Sequence, residues 1–426
     1  MRRLIELKEF DVITNNQDYI DDKQYVYMDN ESFNYLENLI LSFKENEEVD
    51  AVDFFTVTTK RHIGKVIRAK NYVGIIQLKN GVQVQILPKI FGSTSTNTKK
   101  KFLKMLKSLK NFASKRFNEA NLHVEEMSIY EIFIRLYIQE IQLLVKKGIR
   151  SAYFEVENNL NVYKGKMLFS QHIQKNMVHK ERFFVSHDDF GPNRAENRLI
   201  KSTLLKLLKE STHQENLKEI RKLLLNFELV ESSKNYDQDF SGVKIDRNSK
   251  YYESIMVWSK VFLLNQSFTT FSGASFGKAL LFQMDKLFEA YIGHHMKKLF
   301  SDDDWELTLQ DKGYFLFEKR FSLRPDMVLR NHKMGRTIIV DTKWKILKNT
   351  PNNNYGISQA DMYQMYTYAK KYDTDEVWLI YPINEELNND VEICFKSDDG
   401  VIVRVFFVDC NEVERSLGQL INFCVR

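Results

Sequence analysis

Residues 323–345 read LRPDMVLRNHKMGRTIIVDTKWK, and the placing of their charges decides how the second half of the chain is read. A proline and an acid (Pro325, Asp326) open one apolar run; a polar stretch follows; a second run ends in an acid two places before a lysine (Asp341, Lys343). Alternate residues of a strand share a face. In TIIVDTKWK this groups Asp341 with Lys343 and Lys345, against Ile338, Val340 and Trp344. In FSLRPDMVLR it groups Asp326 with Ser322, Arg324 and Arg330, against Phe321, Leu323 and Met327. A hairpin through NHKMGR, with Gly335 aiding the turn, sets the two acidic faces side by side. Carboxylates held together repel, which raises a pKa or demands a cation between them. Magnesium meets that demand with one or two carboxylates plus waters and phosphate oxygens. A neighbouring lysine can then position a water or neutralise charge on a phosphate. The competing reading is an ion network on a sheet edge, and these residues alone leave both open.

Working outward, residues 251–426 follow the order helix, strands, helix, strands. KALLFQMDKLFEAYIGHHMKKLF predicts an amphipathic helix with Leu280, Met284, Leu287, Phe288 and Tyr291 on one face. WELTLQ, YFLFEKR, FSLRPDMVLR and TIIVDTKWK predict strands, and SQADMYQMYTYAKKY predicts a helix with Ser358 as its N-cap. EVWLIYP, VEICFKS and VIVRVFFVD add strands, giving a mixed sheet flanked by helices. Residues 1–95 read as a β-rich N-terminal domain, because KVIRAKNYVGIIQLKNGVQVQILPKIF alternates about the hairpin dipeptide Asn80-Gly81. Residues 96–250 read as a mostly helical middle region, from SIYEIFIRLYIQEIQLLVKKG, stopped by Gly148, to NLKEIRKLLLNFEL, with a linker at about 231–250. The fold class is α+β, in several domains.

Composition narrows the function classes. Sixty-two basic and 57 acidic residues give a net charge of +5, which permits nucleic acid without demanding it. Cys394, Cys410 and Cys424 have neither metal-ligand spacing nor the look of a disulfide framework. No apolar run approaches the roughly 18–20 residues of a membrane span, and MRRLIELKEFDV lacks the apolar core of a signal peptide. A cytoplasmic protein with no membrane partner is expected. IGKV, KGKM and FGKA lack the glycine and hydroxyl of a phosphate loop, so no nucleotide is expected to bind this chain itself. His294-His295 and SHDD (186–189) have no spaced partner and read as structural. Lys345, Arg324 and the basic stretch NTKKKFLKMLKSLKNFASKR could meet phosphate, but solvated surface is the simpler reading.

P-D, a spacer and D-x-K inside an αβββαβ order resemble the PD-(D/E)XK nuclease superfamily. The resemblance implies that Asp326, Asp341 and the carbonyl of Thr342 hold Mg²⁺ (Mn²⁺ substituting) and that Lys343 assists the attacking water. Glu289 in DKLFEAY matches the superfamily's helix glutamate, a further catalytic and metal residue. Gln364 and Tyr368 in QMYTY match its Q-x-x-x-Y, one helical turn apart. More closely, MDKLFEAYI, LRPDMVL, IIVDTKWK and DMYQMYTYAKKY resemble the McrC family of McrBC and LlaJI-type restriction systems. YVGIIQLKNGVQVQILPKI, YKGKMLFSQHIQKN and HDDFGPNRAENRLIKSTL in the front half resemble it too, although the usual acid of the middle motif appears here as GPNRAEN. Residues 1–60 and the linker match nothing in the family. The resemblance implies a Mg²⁺-dependent DNA endonuclease subunit of a GTP-dependent, modification-dependent system. Its partners would be DNA and a McrB-type AAA+ GTPase hexamer, docked through residues 1 to about 250 and stimulated by this chain. Two other readings stand beside it. One is a catalytically inactive adaptor and GTPase activator, which the intact acid–acid–lysine set speaks against. The other is an autonomous structure-specific nuclease, which the long front half speaks against.

Overall fold

A computed structural model describes residues 3–45, 54–90, 95–109, 127–264, 277–300, 304–388 and 391–424. The chain divides into two compact units. One gathers Met1–Phe112, Glu119–Ile129 and Ser267–Arg426; the other gathers Ala113–Asn118 and Tyr130–Gln266. The expected boundaries near 95 and 250 differ from this division, because front and back of the chain share one unit. Helix Tyr252–Leu264, expected with the C-terminal domain, belongs to the other.

The first unit is built on a six-stranded mixed sheet in the order Trp305–Leu309, Met327–Asn331, Arg336–Thr342, Glu376–Pro382, Ile402–Val408, Ile393–Lys396. Its first three strands run antiparallel. Arg336–Thr342, Glu376–Pro382 and Ile402–Val408 are parallel neighbours. A parallel pair needs a crossover, and helix Gln359–Tyr372 supplies it, opened as expected by Ser358, whose side chain accepts from the Asp361 N–H. Ile338, Ile339 and Val340 are fully buried, as are Val377 to Ile380. Such continuous burial marks central strands covered on both faces.

FSLRPDMVLR is two pieces, not the single strand expected. Arg320–Ser322 pairs with Phe315–Phe317 in a small separate sheet, and the main sheet resumes at Met327. Phe321 has positive φ, and Pro325 has no N–H to give a ladder. Asp326 therefore lies on a loop at the strand's mouth.

A second correction concerns residues 278–283, expected as the first turns of a helix. Gly277–Gln283 is a strand antiparallel to Tyr72–Leu78, and the helix begins at Met284. The apolar run ALLF suits either period, and the waiting sheet edge decides. The resulting sheet has the order Leu4–Lys8, Gln83–Leu87, Tyr72–Leu78, Gly277–Gln283. The turn at Asn80-Gly81 closes its central hairpin, with Gly81 at positive φ and its N–H on Leu78 O. Gly74 lets the two backbones meet: a Cβ there would stand 1.9 Å from the Leu280 carbonyl oxygen, at φ +138. Gly74→Ala is expected to cost on the order of 3 kcal/mol, read as a lowered urea midpoint. A third sheet, in the order Tyr25–Tyr27, Val12–Thr14, Gly64–Ala69, Phe55–Lys60, shares its core with helix Asn30–Glu45 through Phe33, Leu36 and Ile40. That helix was not expected in the β-rich segment.

In the second unit, helices Ala195–Glu210, Gln214–Asn226 and Tyr252–Leu264 join helix Ile129–Lys147, which stops at Gly148 (φ +91). Tyr137, Trp258 and Phe262 stack at its centre. Strands Ala152–Leu160, Phe183–Gly191 and Lys166–Met167 form a small antiparallel sheet. The stretch expected as a linker is anchored: it carries helix Tyr236–Gly242, Asp239 pairs with Arg198 at 2.6 Å, and Asp246 pairs with Arg150 at 3.2 Å. Among the described residues no helix is long and apolar enough to cross a membrane.

Candidate active site

The register Met327↔Val340 carries one step further to set Asp326 level with Asp341. Strand Arg336–Thr342 ends there, although Lys343 still donates its N–H to Ile380 O at 2.9 Å. Asp326 Oδ2 accepts from both the N–H and the hydroxyl of Thr342, each at 2.7 Å. Asp341 is only 2% exposed, and Lys343 Nζ stands 2.6 Å from its Oδ2. The same ammonium lies 3.3 Å from Gln364 Oε1, and Gln364 Nε2 donates to Tyr368 Oη at 2.7 Å. Asp326, Asp341, Thr342, Lys343, Gln364 and Tyr368 thus form one connected chain of contacts.

The electrostatics follow from crowding acids in a dry place. Burial, then the charge of Asp326, pushes the Asp341 carboxyl up to about 7. Asp326 is also raised by burial, against the lowering effect of its two bonds from Thr342. Burial works against the Lys343 ammonium, but Asp341, Asp326 and Asp361 outweigh it and hold the lysine above its ordinary value.

Glu289 comes to the site from helix Met284–Leu299. Burial and then Asp326 push it up to about 7, and Gln310 Nε2 donates to its Oε1 at 2.8 Å. Among the described residues no three Asp, Glu, His or Cys side chains cluster as metal ligands. Glu289 therefore stands within electrostatic reach of Asp326 without closing a three-carboxylate group.

Sequence reasoning missed three neighbours. Gln310, at positive φ, donates its main-chain N–H to Asp326 O at 2.8 Å and so ties Asp326 to Glu289. Asp285, one helical turn before Glu289, is raised by burial, which the side-chain amide donated by Asn71 opposes; its i−4 spacing was a usable signal. Glu9 is fully buried against Trp344, and nothing local marks it.

Other candidates lie elsewhere. Lys345 Nζ is spent on Gly356 O at 2.6 Å, and Arg324 is exposed. His294 and His295 line a basic cavity of about 690 Å³ with Lys101, Lys104 and Lys298. His187 of SHDD lies on strand Phe183–Gly191 in the other unit. Of the basic stretch, residues 110–116 fall outside the described residues.

Residues 67–382 match the family described as McrBC 5-methylcytosine restriction system component. The chain belongs to that family. The matched span includes Glu289, Asp326, Asp341, Lys343 and Gln364, whereas Glu9 precedes it. Among solved structures, this McrBC-family chain is similar to one from the refined half-complex of the tetradecameric assembly of Thermococcus gammatolerans McrB AAA+ hexamers with bound McrC. The TM-score is 0.69 at 19% identity, covering 98% of this chain and 100% of that one. The cryo-EM structure of the Thermococcus gammatolerans McrBC complex gives a TM-score of 0.45 at 21% identity, over 69% of this chain and 87% of that one. The first likeness is one of fold and covers almost the entire chain. No curated protein matches it.

Proposed function

We propose that the chain is the DNA-cutting subunit of a McrBC-type restriction system: a Mg²⁺-dependent endonuclease of the PD-(D/E)XK kind. Its partner in this reading is a McrB-type AAA+ GTPase that selects modified DNA and whose GTP hydrolysis it stimulates. The observation that carries the reading is the meeting of Asp326, Asp341 and Lys343 at the carboxyl end of a parallel strand pair, in a chain of this family. Open α/β sheets bind their ligands at that end.

The donor chemistry fits the metal. Two crowded carboxylates, the Thr342 carbonyl and Glu289 offer hard oxygen alone, which suits Mg²⁺ or Mn²⁺. When bound, the ion would supply Lewis acidity and an acidified water.

The chain's own residues do the rest. Thr342 fixes the rotation of the Asp326 carboxylate through two bonds to one oxygen. Lys343 stays charged throughout the neutral range and can orient a water or offset charge on a phosphate. Tyr368 holds the Gln364 amide so that its oxygen, rather than its NH₂, faces that ammonium. The deciding test is a calorimetric Mn²⁺ titration of the full chain with duplex DNA. Binding is expected, and its absence would turn the reading to a nuclease-fold adaptor without catalysis.

The second unit supports the partner. Around its small sheet Tyr153 is 74% exposed, Val178 84%, and Phe169, Ile173, Met177 and Phe190 are also well exposed. Phe169, Ile173 and Met177 recur every fourth residue along helix Phe169–Asn176 and its cap, and such an exposed apolar stripe marks an interaction surface. Its proposed occupant is the McrB-type hexamer; the similar structure is one of McrB hexamers with bound McrC. The paired change Phe169→Asp and Val178→Asp is expected to weaken co-elution with that hexamer at least about tenfold, the loss of a buried hot spot, while Mn²⁺ binding stays unchanged.

A further inference from the structure

Trp344, the residue after the site lysine, is set beside two buried acids. Its indole Nε1 donates to Glu9 Oε1 and Oε2 at 3.1 and 3.0 Å. Its main-chain N–H lies on the side of Asp285 and favours that carboxylate's charged form. The ring packs on Phe288 with centroids 5.1 Å apart. Both acids are themselves held by the front of the chain. Glu9 follows strand Leu4–Lys8, donates its N–H to Leu87 O at 3.0 Å and accepts the Lys89 N–H at 2.9 Å. Asp285 accepts from the Asn71 side-chain amide, and Asn71 O accepts the Met284 N–H at 2.9 Å. The four-stranded sheet therefore holds Trp344 through Glu9, one peptide bond from Lys343.

Packing alone does not call for a carboxyl here. Burying an acid costs free energy unless it is hydrogen-bonded, and an apolar residue facing a phenylalanine would fill the same space. An acid facing an indole N–H instead fixes the ring's rotation, and with it the direction in which the main chain leaves Lys343. That direction matters because Nζ must reach Asp341 and Gln364 together. Burial raises the Glu9 carboxyl to about 8, so near neutrality it is largely protonated, and an amide can imitate it.

We infer that Glu9 is a positioning residue for the site lysine, acting through Trp344 to hold the Lys343 ammonium between Asp341 and Gln364. The catalytic side of this inference rests on the nuclease reading. Its geometric side does not, and the test separates the two.

Full-length Glu9→Leu, Trp344→Phe, their double variant and Glu9→Gln are compared with the wild type by two readouts. One is single-turnover cleavage of modified duplex DNA with Mg²⁺, the McrB-type hexamer and GTP. The other is competitive acetylation of Lys343 by acetic anhydride, read by mass spectrometry. Glu9→Leu and Trp344→Phe should each slow cleavage about 10–100-fold, the usual effect of losing an outer-shell support, and raise Lys343 acetylation several-fold. The double variant should be no worse than either single one, since both break the same contact, and Glu9→Gln should recover both readouts. A folded Glu9→Leu protein with wild-type cleavage and acetylation would overturn the inference. If Glu9→Leu fails to fold, Trp344→Phe, which keeps the ring on Phe288, decides by the same two readouts. A wild type that does not cut would sink the nuclease reading, while acetylation would still decide whether Glu9 holds the lysine.

Discussion

Asp341→Asn is expected to leave a folded protein that cuts DNA at least about 10³-fold more slowly, the scale of loss when a member of a catalytic set is removed. Its Mn²⁺ binding in the presence of duplex DNA should vanish. The same variant should melt higher than the wild type in metal-free buffer at pH 8. The sign follows from the raised carboxyl. Folded Asp341 titrates at about 7 against an ordinary 3.8, so between those values the folded state holds a proton that the unfolded state has released. Stability contributed by this group therefore falls as pH rises through that window, and above it the buried charge is a constant penalty that asparagine lacks. The gap should close towards pH 4. Added Mn²⁺ should raise the wild-type melting temperature and leave the variant's unchanged. Because Asp326 and Glu289 titrate with Asp341, the profile belongs to the set of three. Undiminished cleavage by Asp341→Asn would defeat the active-site assignment outright.

Lys343→Met gives the complementary result. Cleavage should fall about 10²–10³-fold, the usual loss of one preorganised charge-stabilising group, but Mn²⁺ binding should persist, because the oxygen donors remain. Its stability should move opposite to that of Asp341→Asn. Without an ammonium 2.6 Å from its carboxylate, buried Asp341 is left uncompensated at pH 8 and relieved at pH 5 by taking up a proton. A lower melting temperature at pH 8 alone, cured by adding Asp341→Asn, would identify the pair as the cause. Loss of metal binding in Lys343→Met would show instead that the lysine holds the site's shape.

The parts of the site legible in the sequence are those whose meaning is local. Asp341 and Lys343 are two apart at a strand end, so one face had to carry both. Gly335 at positive φ made the hairpin that sets Asp326 opposite them. Ser358 and Asn80-Gly81 could be read for the same reason, since a cap and a tight turn are satisfied within four residues. Misreadings arose where a distant partner casts the deciding vote. Leu280 fits a helix by period, yet it pairs with Ile75, and no local pattern contains that. The break in FSLRPDMVLR was visible in Pro325, whose missing N–H the alternation argument passed over. Glu9 and Asn71 are isolated polar residues in unremarkable company. Their roles exist only once residue 344 is 335 positions further along the chain and hydrogen-bonded to residue 9. Asp285 was within reach, because any helix face that carries Glu289 also carries the residue four before it.

Strand Gly277–Gln283 completes a sheet whose other members come from the first 87 residues. That interleaving makes the proposed site depend on both ends of the chain. A protease that clips within 130–266 leaves two fragments still zipped together along seven register pairs. One that destroys the front fragment strips the back of Glu9, Asn71 and its neighbouring strand, exposing a raw edge that favours aggregation over folding. Neither route leaves the strands of Asp326, Asp341 and Lys343 folded and parted from Glu9.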